Sequence, residues 1–279
     1  MKKEILITKA SGERVAFSPQ KLFNSLKRSG ATDEAIQKVI SQVESGLYEG
    51  VSTREIFRKA FSLLRKFSKR SASRYKLKQA IMELGPTGFP FEVFISELLK
   101  GQGYKTSVGR IIPGYCVTHE VDVVAEKEGK VFMIECKFHN STGIKCDVKV
   151  PLYIHSRYND LVKMWTVHPE SGSSFDQGWV VTNTHFTDDA IQYGTCAGLA
   201  LLGWDYPKDK GIKDLIDSLG LYPVTCLTAI TKAEKQQLLQ QKILLCSDLL
   251  NNSAVLGSIG ISADRIETIR KDCQSILNH

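Results

Sequence analysis

Two short segments constrain this chain more than any other part of it: His119-Glu120-Val121-Asp122 and Ile134-Glu135-Cys136-Lys137. Both lie in runs rich in valine, isoleucine and phenylalanine, the composition of strands. Side chains alternate across a strand. From 132 to 138, one face therefore shows Phe132, Ile134, Cys136 and Phe138, and the other shows Met133, Glu135 and Lys137. The first face is apolar and belongs in a core. The second sets a carboxylate beside an amine near a strand end. Asp122 stands among valines, where an ionised group is costly unless it is paired or holds a cation.

Two carboxylates and a lysine in the order D…E-x-K suit metal-dependent cleavage of a phosphodiester. Hard oxygen donors of this kind suit Mg²⁺ or Mn²⁺. Asp122 and Glu135 are the expected ligands, with a backbone carbonyl from residue 136 and several waters. Such an ion acidifies a bound water and neutralises charge on phosphate oxygens. Lys137 is placed to orient or deprotonate that water, or to stabilise the transition state. Glu92, beside the apolar stripe of the preceding helix, is the expected third carboxylate, whereas Glu97 points towards water. His119, Glu120 and His139 are expected as polar neighbours. Tyr153, Arg157 and Asp160 share a helical face, so Arg157 either meets a phosphate or pairs with Asp160 on the helix surface. The competing reading of the whole group is a Glu135–Lys137 ion pair on an edge strand, with Asp122 capping a turn. The valine-rich setting of Asp122 and the apolar opposite face favour a site.

The chain punctuates itself. Residues 4–8 read as a strand, Ala10-Ser11-Gly12-Glu13 as a turn, and Arg14 to Phe17 as the returning strand of a hairpin. Helices follow from the caps Ser18-Pro19, Thr32-Asp33 and Ser52-Thr53-Arg54-Glu55, and a fourth is expected over Ser71 to Leu84. Two prolines and two glycines in Gly85-Pro86-Thr87-Gly88-Phe89-Pro90 mark a boundary. Phe91, Phe94, Ile95, Leu98 and Leu99 then form an amphipathic stripe. Strands are expected near 104–111, 115–125 and 130–138, a helix over 152–166, a strand from Gly178, a helix capped by Thr187, and a strand within 199–204. That order predicts a mixed sheet flanked by helices. Beyond about Pro207 the pattern is helical. The expected domains are 1–88, 89–206 and 207–279.

Charge is uneven. Up to Leu84 there are 18 Lys+Arg against 8 Asp+Glu, a balance of +10, which leaves −3 for the rest of a chain whose net charge is +7. A basic front segment points to an anionic partner, nucleotide or nucleic acid, with solvated helix faces as the equal alternative. The seven cysteines are scattered and none form a C-x-x-C, so reduced thiols are expected. The apolar runs are too short to span a bilayer and no signal sequence opens the chain, so a cytoplasmic location is expected.

With these residues in view, the middle of the chain resembles the PD-(D/E)XK nuclease superfamily, in particular its Mrr-like restriction endonuclease branch. The match runs through Phe91-Glu92, Leu98-Leu99, Gly103-Tyr104, Glu120-Val121-Asp122, Glu135-Cys136-Lys137 and Val180-Val181-Thr182-Asn183. The resemblance implies catalytic roles for Asp122, Glu135, Lys137 and Glu92 and a metal held by Asp122 and Glu135. Val121 replaces the family's proline. Residues 4–84 resemble the ATP-cone domain through Lys9, Gly12, Phe17, Lys21 and Ser52-Thr53-Arg54-Glu55-Ile56. That implies ATP or dATP as an allosteric ligand, with Lys9 and Lys21 at the phosphates and Thr53 near the base. Ala10 replaces the usual arginine, and Arg74 is among the basic residues placed to compensate. The fold class expected is α/β (α+β): a mostly helical ATP-cone-like domain with a hairpin, a restriction-endonuclease-like sheet, and a helical extension. The expected function is a Mg²⁺-dependent endodeoxyribonuclease regulated by adenine nucleotide, acting on DNA as a dimer or larger homo-oligomer. The alternatives are a nucleotide-responsive DNA-binding regulator with an inactive core, and a structure-selective DNA or RNA nuclease.

Overall fold

The computed structural model describes residues 5–141, 143–168 and 174–277; Glu4, part of the strand expected over 4–8, lies outside them. The chain forms two compact units. One comprises the residues up to Ile81 together with those from Tyr222 onward, and the other is Met82–Leu221.

The first unit opens with a hairpin of β1 (Leu6–Thr8) and β2 (Arg14–Ala16). Its turn needs a residue in the left-handed region, and Gly12 supplies it at φ +84°. Helix α1 (Pro19–Arg28) starts where expected, with Ser18 accepting from the Lys21 backbone N–H and proline in the first turn. Thr32 caps α2 (Asp33–Glu44) and Ser52 caps α3 (Thr53–Phe67) in the same way. The single helix expected over 71–84 is two: α4 (Lys69–Tyr75), capped by Ser68, and α5 (Leu77–Met82). Leu26, Ile36, Val39, Ala60 and Leu64 fill one apolar core.

The second unit runs α6 (Phe89–Gly101), β3 (Lys105–Pro113), β4 (Thr118–Lys127), β5 (Lys130–Lys137), β6 (Lys145–Cys146), α7 (Lys149–Val167), β7 (Gln177–Thr182), β8 (His185–Phe186), α8 (Asp188–Cys196), β9 (Ala200–Leu202) and α9 (Ile212–Leu219). Its main sheet has the order β3-β4-β5-β7-β9. The first three strands are antiparallel and the last three parallel. This is the mixed sheet expected, and the chain is an α/β protein. Phe91, Phe94, Ile95, Leu98 and Leu99 of α6 are all buried. Phe91 meets Phe138 on one face of the sheet, while Leu161 and Tyr158 of α7 meet Met133 on the other. Helices therefore cover both faces. Met133 is as fully buried as Ile134, so the face that carries Glu135 is core as well.

The C-terminal residues do not form a third unit. A 3-10 turn at Val224–Cys226 leads to α10 (Lys232–Gln240), α11 (Cys246–Asn251), α12 (Ala254–Ser258) and α13 (Ala263–Leu277). These join the front helices: Tyr222 is fully buried, Thr225 Oγ1 donates to Ala80 O at 2.8 Å, and α13 packs on α4. Helical periodicity reveals an apolar face but not which surface it will cover. None of the described helices is long and apolar enough to cross a membrane.

Phe94→Ala is expected to cost about 3–5 kcal/mol through the lost ring and the cavity behind it, and Phe94→Leu far less. Urea unfolding of the two variants against the parent chain checks this.

Candidate functional site

The site is built where β4 and β5 part. Their ladder closes with Val123 opposite Ile134, which makes Asp122 and Glu135 the next residues along the two strands. Asp122 Oδ2 takes the place of the missing backbone partner and accepts from the Cys136 N–H at 2.7 Å. Alternation slips at this point in β4. Val121 and Val124 both join the cluster around Leu161, a spacing that a regular strand does not give. Across the β3 ladder the same level is held by Gly109, in the left-handed region at φ +63°.

Glu135 is only 5% exposed. Its Oε2 receives a close charge-assisted hydrogen bond from Arg157 Nη1, and its Oε1 is buried without a hydrogen-bond partner. A buried carboxylate oxygen left in that state is costly and calls for a ligand. The ordinary carboxylate pKa does not survive here. Burial first, and then the Asp122 charge, push Glu135 up to about 8 against the opposing pull of Arg157. Glu92 rises to about 7 through burial, Asp122 and Glu120, and burial also raises Asp122. Glu92, Asp122 and Glu135 are thus in mutual electrostatic reach, whereas Glu97 pairs with Lys100 at 2.8 Å.

Lys137 is exposed at the end of β5 and lines a cavity of about 310 Å³ together with Glu135, Lys149 and Tyr153. The chain leaving β5 is fixed by β7: Thr182 Oγ1 donates to Lys137 O at 2.8 Å, and Asn183 exchanges hydrogen bonds with the His139 backbone at 2.7 and 2.8 Å. Burial, then the Lys137 charge, lower the His139 pKa.

The surface pair expected between Arg157 and Asp160 is not formed. Arg157 pairs with Glu135 and with the Glu120 carbonyl, not with Asp160. Asp160 accepts from Cys116 N at 2.8 Å and bonds His119 Nε2 at 2.7 Å, while Arg157 Nε donates to His119 Nδ1 at 3.4 Å. The hydrogen bond from His119 holds the Asp160 carboxyl down at about 2. Asp160, His119, Arg157 and Glu135 therefore form one chain of polar contacts. His119 was legible only as a polar neighbour, because its partner lies 41 residues away.

The front unit brings together part of the expected nucleotide set. A parallel bridge joins Thr8 to Ser52, so Lys9 and Thr53 follow paired residues at one end of the hairpin. Lys9 Nζ lies 2.9 Å from Glu13, and Lys21 is exposed on α1. Arg74 is engaged differently: its Nη2 donates to Ile276 O at 3.2 Å and its guanidinium lies 5.0 Å from the Tyr222 ring centre. The returning C-terminal helices take it as a packing and hydrogen-bonding group.

The shifted carboxylates set a pH dependence. Between the ordinary value of 4.5 and about 8, the native chain binds more protons at Glu135 than the unfolded chain does. Stability is therefore highest below that window, declines as pH rises through it and is level above it. Glu135→Gln is expected to flatten the decline. Asp160 acts oppositely: its contribution is complete above the ordinary 3.8 and disappears as pH falls towards 2. Urea midpoints measured in EDTA from pH 3 to pH 9 test both signs.

Comparison with known proteins finds matches at both ends of the chain. Residues 5–78 match the ATP cone domain and residues 222–277 the AF1548-like C-terminal family. An uncharacterized protein of Archaeoglobus fulgidus is 35% identical over 184 residues, covering 66% of this chain and 99% of the relative. The crystal structure of AF1548, a protein of unknown function, superposes with a TM-score of 0.57 at 33% identity, covering 68% of this chain and 98% of that one. The chain belongs to the AF1548-like family, and it carries an ATP-cone domain at its front.

Proposed function

We propose that this protein is a divalent-metal-dependent nuclease of the PD-(D/E)XK type, acting on DNA, whose activity is set by adenine nucleotide at the ATP cone. The observation that carries the reading is Glu135, buried with one oxygen unpartnered beside Asp122 and two residues before Lys137. Among the described residues no three His, Cys, Asp or Glu side chains converge as an all-protein cage. Two carboxylates suit Mg²⁺ or Mn²⁺, which keeps several waters and takes the remaining ligands from a phosphate. When bound, such an ion supplies an acidified water and charge neutralisation. Asp122 and Glu135 hold it. Glu92, at about 7, exchanges a proton near neutral pH, as a general acid or base must. Lys137 orients the attacking water or meets charge growing on phosphate.

One observation favours a second reading, a nucleotide-responsive DNA-binding regulator with an inactive core: Arg157 already occupies one oxygen of Glu135. Cleavage assays with Mg²⁺ or Mn²⁺ on linear, supercoiled, methylated and branched DNA, and on RNA, decide between the two. Glu135→Ala and Lys137→Ala are each expected to lower the rate about 100- to 1,000-fold. Full activity in both variants refutes the site, and DNA binding with no cleavage by the parent chain favours the regulator.

The nucleotide arm has its own test. ATP and dATP titrated into the full chain are expected to bind, and Lys9→Ala and Lys21→Ala to weaken binding several-fold. No binding at millimolar nucleotide removes the sensor role.

A further inference from the structure

We propose that the substrate strand lies along one face of α7 as unpaired nucleic acid, its bases resting on Tyr115 and Tyr153 on either side of the acidic site. This inference rests on the nuclease reading and adds to it a substrate class and two binding residues.

The argument begins with the tip of the β3–β4 hairpin. The Gly114 N–H donates to Val117 O at 2.9 Å, closing a tight turn. Asp160 of α7 then holds that turn from below: Tyr115 N donates to Asp160 O at 3.1 Å and Cys116 N to Asp160 Oδ1 at 2.8 Å. A hairpin tip on an exposed edge is ordinarily mobile. This one is tied to a helix at successive backbone groups.

What the clamp displays is apolar. Tyr115 is 46% exposed and Val117 60%. The Lys163 ammonium lies 4.1 Å from the centre of the Tyr115 ring. About three turns back along α7 from Lys163, Tyr153 is 64% exposed, with the Arg157 guanidinium 5.6 Å from its ring centre. Tyr153 also lines the cavity that contains Glu135, Lys137 and Lys149. Positions 153, 157, 160 and 163 recur at helical spacing on one face. From 153 to 163 the helix rises about 15 Å.

The order along this face is therefore tyrosine with lysines, acidic site, tyrosine with lysine. Each end offers an aromatic plane for a base and an ammonium for a phosphate. Exposed rings interleaved with cations are what unpaired strands bind, because every base has a stacking face and every linkage a charge. In a duplex the bases are already stacked on one another and offer no face to either ring. The spacing suits a strand that passes the carboxylates with a base held on each side.

The test uses the full chain in EDTA, so that binding is measured apart from cleavage. Fluorescence anisotropy compares a short labelled oligo-dT, a duplex of equal length, and a duplex with a single-stranded flap. The parent chain is expected to bind the oligo-dT and the flap more tightly than the duplex. Tyr115→Ala and Tyr153→Ala are each expected to weaken single-strand binding about 5- to 100-fold. Tyr115→Phe and Tyr153→Phe are expected to retain it, and thermal unfolding confirms that the variants fold. Equal or tighter binding of the duplex, or unchanged affinity in both alanine variants, overturns the proposal. Tyrosine-dependent single-strand binding without cleavage in Mg²⁺ sustains this inference while removing the nuclease reading. Cleavage of blunt duplex at parental rates by both alanine variants does the reverse.

Discussion

A carboxylate buried at the end of a central strand is the constraint on which this structure turns. Glu135 sits where β4 and β5 separate, covered by α7, with one oxygen against Arg157 and the other unpartnered. Removing a charge from water is expensive, and a single guanidinium offsets it only in part. Burial raises Glu135, Asp122 and Glu92 alike, and neighbouring carboxylates add to it: Asp122 and Glu92 for Glu135, Asp122 and Glu120 for Glu92, and Glu120 for Asp122. An arrangement with that electrostatic cost is typical of places where a fold holds groups ready for a ligand.

The groups around it are held from several directions. Side-chain hydrogen bonds of Thr182 and Asn183 to the Lys137 and His139 backbone fix the exit of β5. Asp160 anchors the β3–β4 hairpin and, through His119 and Arg157, reaches Glu135. A slip in the alternation of β4 beside Gly109 turns Asp122 to the Cys136 N–H. The carboxylates are therefore positioned by two strands and a helix, not by loops, which is the kind of support that keeps reacting groups in register.

Much of this was readable in the sequence because it depends on local rules. The caps Ser18, Thr32, Ser52 and Thr187 start helices where hydroxyls accept from backbone N–H groups. The order of strands and helices in the middle of the chain follows from periodicity. What escaped depends on partners distant in the chain. His119 needs Asp160, and Arg157 needs Glu135. Arg74 looked like a phosphate contact because basic residues on a helix do so in isolation, yet it meets Tyr222 and Ile276, more than 140 residues on. Alternation alone also did not reveal that helices cover both faces of the sheet, which makes Met133 and Glu135 core. Where the C-terminal helices would settle was hidden for the same reason, since an apolar stripe does not name the surface it covers.

The central claim is that Asp122 and Glu135 jointly hold one hard divalent cation. Titration of Mn²⁺ into the full chain, followed by electron paramagnetic resonance, reads this directly. One ion is expected per parent chain, with affinity falling at least tenfold in both Asp122→Asn and Glu135→Gln. Binding of equal strength in the parent and both variants, or no ion bound at millimolar Mn²⁺, contradicts the claim.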